Sequence, residues 1–436
     1  MARRRILAAG IAAVAVAAGV LVPAGGASAA GEVEANHHRS RYLKVGYFTQ
    51  WGIYGRGFRV QNLVTSGSAA RLTHLNYAFG NVTADGVCAS ADPWADWQVP
   101  FTAEQSVDGV ADAGQPLAGN FNQIRKLKKK YPNLKVQISL GGWTLSNYFS
   151  DAVLTDASRK KFAASCIDLF IKGNLPQPGG EGAAAGVFDG IDFDWEWPGS
   201  EGEPGNVVGE KDKQNFTLML REFRRQLDAY GHKTRTHYST TAFLPADPAK
   251  IDNGFEVRKV FHLLDFATVQ GYDMHGAWDP ITNHQSALYP PKNTPVNPDF
   301  TVSRAVDALI ERGAPREEIV VGVPFYGRGW TDVASTANGG LFAAAPTPAP
   351  GGVEAGYDDY RNLKLLQGKG FKLYRDRRAG FSWLFDGKTF WTYDDPTVME
   401  WKADYIRHQG LAGAMAWSLD ADDAQGSLLA TLDCRL

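Results

Sequence analysis

Asp189-Gly190-Ile191-Asp192-Phe193-Asp194-Trp195-Glu196-Trp197-Pro198 is the stretch on which the fold and the chemistry of this chain turn. Acids alternate with branched and aromatic residues, the pattern of a β-strand, whose side chains point to opposite faces in turn. Asp192, Asp194 and Glu196 therefore share one side, each about 7 Å from the next along the chain. Ile191, Phe193 and Trp195 point the other way. An acidic row backed by an apolar row suits a strand of a closed sheet, with helices outside and the acids at the inner mouth. Three like charges confined there cannot all ionise cheaply, so at least one pKa must rise. A carboxyl that keeps its proton near neutrality is what general acid catalysis requires. A solvated edge strand would not set Ile, Phe and Trp behind its acids, and a metal site usually recruits histidine, absent from this stretch. Asp189 has the wrong parity for the row and is expected to fix the start of the strand.

Working outward, β-rich runs occur at 43–48, 74–79, 136–140, 187–193, 237–242, 266–270, 319–324 and 412–417. Several are nearly continuous apolar runs, as parallel strands covered on both faces require. Amphipathic stretches at 122–130, 158–173, 213–230 and 302–312 lie between them. This alternation predicts an α/β fold, a (β/α)8 TIM barrel over 42–436. A doubly wound sheet is the competing architecture, and it lacks its glycine-rich phosphate turn here. The rhythm breaks between the seventh and eighth runs, where strand-like pieces and Pro/Gly-rich loops precede a helix at 398–409. A small α+β insertion at 331–397 is expected, walling a cleft on the catalytic face.

The chain's 436 residues, 44% hydrophobic and 21% charged, are ordinary for a globular protein, which excludes wholesale disorder. The formal charge of -2 gives no basic field for nucleic acid. Residues 1–30 read as a signal peptide: Arg3, Arg4 and Arg5, an apolar run at 6–22, then Ala27-Ser28-Ala29. Removing it takes the formal charge from -2 to -5. A membrane anchor is the alternative, but the run is marginal in length and diluted by Ala and Gly. The paired arginines leave general and twin-arginine export both open. Residues 31–41 read as a polar, flexible arm, with His37-His38 solvated. A secreted protein can hold one disulfide among Cys88, Cys166 and Cys434; spacing does not assign it, and Cys166 reads as a small buried hydrophobe in an apolar helix.

The ordered motifs resemble glycoside hydrolase family 18, the chitinases, and the inserted subdomain resembles that of bacterial members with deep clefts. The family's Asp-x-x-Asp-x-Asp-x-Glu pattern is met by Asp189, Asp192, Asp194 and Glu196, and Ser-x-Gly-Gly by Ser139-Leu140-Gly141-Gly142, with Trp143 after it. Gly46-Tyr47-Phe48 with Trp51, Tyr272-Asp273, Tyr326-Gly327-Arg328 and Trp417 follow in order; Gln270 departs from a frequent Met at the barrel floor. The resemblance implies that Glu196 is the acid, Asp194 holds the substrate's acetamido group, Asp192 shares a proton with Asp194, and Tyr272 orients the acetamido oxygen. It implies substrate binding by Asp273, Arg328, Tyr326, Gln270 and Tyr47, with Tyr47 also a partner of Asp192. Trp417 would floor the cut site, Trp143 and Trp278 serve the product side, and Trp51 and Trp383 the other arm. Trp195 and Trp401 would sit in the helix layer. Ser139, Gly141 and Gly142 would be structural, the glycines letting backbone pass close to the acids and Ser139 bonding one of them. Non-proline cis peptides are implied at Ala78–Phe79, Glu196–Trp197 and Trp417–Ser418.

The function so implied is a secreted chitinase cutting β-1,4 links between N-acetylglucosamine units, with retention and substrate assistance. It would act on chitin or chito-oligosaccharides as a monomer, with no cofactor, metal, nucleic acid or membrane. An endo-β-N-acetylglucosaminidase acting on N-glycans, or a non-catalytic lectin on the same barrel, are the alternatives. Lectin-like relatives typically lose the acid, and Glu196 is present.

Overall fold

The computed structural model describes residues 42–436; the expected signal peptide and arm, with His37-His38, lie outside the described residues. Eight parallel strands form the barrel: β1 (Leu43–Thr49), β2 (His74–Val82), β3 (Lys135–Gly141), β4 (Gly190–Asp194), β5 (Ser239–Leu244), β6 (Phe266–Val269), β7 (Ile319–Pro324) and β8 (Gly413–Trp417). Each pairs with its successor, and β8 pairs with β1 through Leu43↔Gly413 to Gly46↔Ala416, so the sheet closes. Closure removes the unpaired edges of an open sheet. The protein is a (β/α)8 TIM barrel.

Five longer helices of the outer layer are α1 (Gly119–Lys130), α2 (Asp156–Cys166), α3 (Asp212–Thr234), α4 (Val302–Glu311) and α5 (Pro396–Gln409). Their ends are written locally. Thr155 accepts from Ser158 N at the start of α2. Asp395 accepts from Val398 N at the start of α5, Pro396 supplies the fixed φ of a first helical residue, and Gly410 ends the helix at φ 67°. The outward side chains of β4 pack on the helix layer: Phe193 meets Phe223 of α3 at 4.7 Å between ring centres, and Trp195, just past the strand, stacks on Phe149 of the short helix Phe149–Ala152 at 5.3 Å. A second apolar cluster, with Val45, Tyr47, Phe243, Phe266, Val320 and Met415, fills the barrel.

After β7 the chain enters a six-stranded antiparallel sheet made of Tyr326–Thr331, Thr347–Pro348, Tyr357–Asp359, Lys372–Asp376, Phe381–Phe385 and Phe390–Tyr393. It returns through α5 to β8. The sheet has its own core around Trp330, Trp383, Phe385 and Phe390. Trp383 belongs to that core and not to a sugar platform: it is 5% exposed, stacks on Tyr374, and its Nε1 donates to Gly339 O at 3.0 Å. Sequence alone missed this because a strand residue facing a sheet-on-loop core has the same composition as one facing a cleft.

Cys166 is also corrected. It is buried but bonded to Cys88, with Cα atoms 4.9 Å apart, tying α2 to the short strand Cys88–Ser90 that pairs antiparallel with the end of β2; Cys434 is exposed and unbonded. Among the described residues, no helix is long and apolar enough to cross a membrane.

Candidate active site

The acids come to the C-terminal mouth because β4 ends there, the end at which barrel enzymes carry their chemistry. Asp192 is enclosed by hydroxyls from three other strands, the two that flank β4 and, across the barrel, β1. Tyr47 Oη donates to Asp192 Oδ2 at 2.6 Å, Ser139 Oγ to the same oxygen at 2.7 Å, and Thr241 Oγ1 to Oδ1 at 2.6 Å. The register puts Ser139 on β3 and Thr241 on β5 beside Asp192. Burial raises the Asp192 pKa, and these three donors pull it back by stabilising the charged form.

Asp194 lies one step nearer the mouth. Its Oδ1 is buried with no hydrogen-bond partner among the described residues. Burial pushes its pKa well up, and the charges of Glu196 and Asp192 push it further. Glu196 is half-buried, with its pKa pushed up to about 8, first by burial and then by Asp273, against the pull of Lys250. The two carboxyls are coupled, so near neutrality the pair retains at least one proton.

The backbone around Glu196 is tightly held. Its N–H donates to Ser146 Oγ at 2.9 Å, and Asn206 Nδ2 donates to its carbonyl at 3.0 Å. Gly142 N donates to Asp194 O at 2.7 Å. A Cβ on Gly141, whose φ is +106°, would lie 2.3 Å from Asp194 O, and one on Gly142 would lie 2.5 Å from the Phe79 ring, so only glycine lets β3 pass this close. Asp189 Oδ2 accepts from Val136 N at 2.9 Å and pairs with Lys128 at 2.8 Å, anchoring the strand's start. The Ala78–Phe79, Glu196–Trp197 and Trp417–Ser418 peptides are cis.

Tyr272 follows β6, is buried, and stacks on Phe243 at 6.0 Å. Asp273, at φ 56°, accepts from Arg328 Nε at 2.7 Å. Arg328 comes from the first strand of the inserted sheet and lies 5.1 Å from the Trp278 ring centre. Tyr326 begins that strand; it is buried, its hydroxyl has no partner among the described residues, and Tyr357 stacks on it at 4.5 Å. Trp417 ends β8, stacks on Phe79 at 5.7 Å and meets Tyr47 edge-on at 5.1 Å. Trp51, beside Phe79, is 40% exposed, Trp143 45% and Trp278 58%, so none of the three is core filler. Gln270 is half-buried, and only a long 3.4 Å contact joins its Oε1 to Ala246 N. Trp195 is buried against helices and Trp401 lies on α5.

Sequence reading missed Thr241, Ser146, Asn206 and Lys250. The phase of β5 offers Thr241 together with Ser239, and only the strand register singles out Thr241; Ser146 and Asn206 sit on loops whose paths no periodicity reports, and Lys250 on a helix of seven residues, too short to carry a pattern. Among the described residues, no group of three or more His, Cys, Asp or Glu could hold a metal ion.

Fold and site together define the architecture of an α/β-barrel glycoside hydrolase, with its acids on the fourth strand and an aromatic-lined mouth. The profile of glycosyl hydrolases family 18 matches residues 44–422, and the chain belongs to this family. It is 41% identical over 391 residues to chitinase C of Streptomyces lividans, covering 88% of this chain and 58% of that one. It is 38% identical over 410 residues to chitinase 63 of Streptomyces plicatus, covering 92% and 62%. The chain thus spans about three fifths of the length of these relatives. Among solved structures, the catalytic domain of psychrophilic chitinase B from Arthrobacter TAD20 matches with a TM-score of 0.86 and 44% identity, covering 90% of this chain and 95% of that one.

Proposed function

We propose that this chain is a chitinase that hydrolyses β-1,4 links between N-acetylglucosamine units with retention, using the substrate's own acetamido group as nucleophile. The observation that carries this reading is the enclosure of Asp192. Both of its oxygens are taken by Tyr47, Ser139 and Thr241, so it is badly placed to attack a sugar. Most retaining glycosidases use two carboxylates, and family 18 is an exception in which the substrate replaces the second.

Glu196 carries its proton near neutrality because its pKa is raised to about 8. It gives that proton to the glycosidic oxygen as the bond to the anomeric carbon breaks, and the leaving sugar departs as an alcohol. The acetamido carbonyl oxygen closes on the anomeric carbon, its tether supplying effective molarity. Asp194, whose free Oδ1 awaits a donor, accepts the acetamido N–H and stabilises the positive ring. Tyr272 would donate to the acetamido oxygen. Asp192 exchanges a proton with Asp194 as its charge changes. Glu196, now a carboxylate, takes a proton from water, which attacks the face the leaving group left and opens the ring with retained β configuration.

Trp417 would floor the distorted sugar, with Trp143 and Trp278 on the product side and Trp51 on the other arm. Asp273, Arg328, Tyr326 and Gln270 would meet hydroxyl and acetamido groups. Digestion of chitin and of cellulose with product sizing tests the substrate. Chito-oligosaccharides from chitin and nothing from cellulose are expected, since cellulose lacks the acetamido group. Equal cutting of both would overturn the reading.

A further inference from the structure

The cation nearest in effect to the proposed acid comes from the loop after β5. A short helix, Pro248–Gly254, follows that strand, with Asp247 accepting from Ala249 N at 2.8 Å. It is seated against the segment after Glu196: a Cβ on Gly254 would lie 2.5 Å from Pro198 O, and one on Gly199 would lie 2.7 Å from Asn253 O. Lys250 projects from this helix. Its Nζ donates to Glu201 O at 3.0 Å and lies 5.6 Å from the ring centre of Trp197, the residue joined to Glu196. Glu201 and Asn206 are in the same loop, and Asn206 holds the Glu196 carbonyl while Asn147 Nδ2 donates to Asn206 Oδ1 at 2.8 Å. Lys250, like Asn147, therefore braces the loop that fixes the backbone of Glu196.

We propose that Lys250 is a positioning residue for Glu196: its ammonium, over the Trp197 ring, braces the loop after β4 and supplies the positive charge that sets the pH at which Glu196 releases its proton. This rests on the reading of Glu196 as the acid. Glu196 is faced by Asp194 from its own strand, by Tyr272 and Asp273 from the loop after β6, and by Lys250 from the short helix after β5. Arg328 is engaged by Asp273 and is not among the groups acting on Glu196. Lys250 itself is faced by Asp247, Glu196 and Glu201. Of the charged groups acting on Glu196, Asp273 favours its protonated form and Lys250 opposes it, where burial leaves screening incomplete. Without this charge the acid would hold its proton too tightly to act as a base in the second step.

The test is the pH dependence of turnover on a chromogenic chitobiose glycoside for the wild type, Lys250→Met, Lys250→Gln and Lys250→Arg. Losing the cation disfavours the carboxylate, so the alkaline limb of kcat should move up by about 0.5–1 pH unit in the Met and Gln variants. Arg should restore it. Two neutral variants with different side chains keep the test alive if one fails to fold. Turnover lowered equally at every pH, with the limb unmoved, would leave Lys250 a brace alone and overturn the proposal; so would a shift that Arg fails to reverse. Glu196→Gln is measured alongside: if it retains turnover, the acid assignment has failed, independently of Lys250.

Discussion

Replacing Glu196 with Gln separates the proton from the shape of the side chain that carries it. The amide is nearly isosteric, and Ser146 and Asn206 hold the backbone of this residue and not its carboxyl, so the fold persists. A positioned general acid contributes roughly 10²–10⁴ in rate, and kcat should fall by that factor while binding stays. The same change has a stability consequence with a definite sign. The folded-state pKa of Glu196 is raised from 4.5 to about 8. Between those values the folded chain holds a proton that the unfolded chain has lost, so this group's contribution is fully present below about 4.5 and is lost as pH rises to about 8. Each pKa unit corresponds to about 1.4 kcal/mol, but Glu196 is partly exposed and coupled to Asp194, which leaves about 1–2 kcal/mol. Glu196→Gln has no such loss, and it also lowers the charge pressure on Asp194. Urea unfolding at pH 5 and pH 8.5 should therefore show the mutant gaining on the wild type by about 1–2 kcal/mol at the higher pH. A mutant that keeps a tenth of wild-type turnover, or that follows the wild-type stability slope, would refute the reasoning.

Three further outcomes follow. Tyr47→Phe removes one of two donors to Asp192 Oδ2 while keeping the ring beside Trp417; a hydrogen bond to a charged group is worth about 1.5–3 kcal/mol, to be read in the urea midpoint, and kcat should fall with it. Gly141→Ala pushes a methyl into Asp194 O at a φ of +106° and should lose activity even where folded protein is recovered, as judged by circular dichroism. Cutting the Cys88–Cys166 bond by Cys88→Ser with Cys166→Ser frees a sequence separation of 78, costing about 4 kcal/mol in thermal or urea unfolding, while kcat at 25 °C stays near wild type.

The barrel was legible because its strands are short apolar runs between amphipathic segments, and because β4 writes two faces at once: acids inward, Ile191, Phe193 and Trp195 toward the helices. A period of two survives any tertiary context, so the row of Asp192, Asp194 and Glu196 could be read from the sequence. Thr241 could not be assigned to Asp192 without the register of β5 on β4, which is a pairing between segments about 50 residues apart. Trp383 shows the converse: a tryptophan's composition does not tell cleft from core, and here the indole N–H is used inside the inserted sheet. Cys166 looked like helix filler because its partner lies on a strand of three residues, too short to carry a pattern.

The measurement that meets the central claim most directly is nuclear magnetic resonance of fresh products from partly deacetylated chitosan. If the acetamido group attacks, the sugar before the cut must carry it, so every new reducing end should be N-acetylated and appear first as the β anomer. Glucosamine reducing ends in quantity, or α anomers appearing first, would contradict the account and return Asp194 or Asp192 to the role of a base activating water.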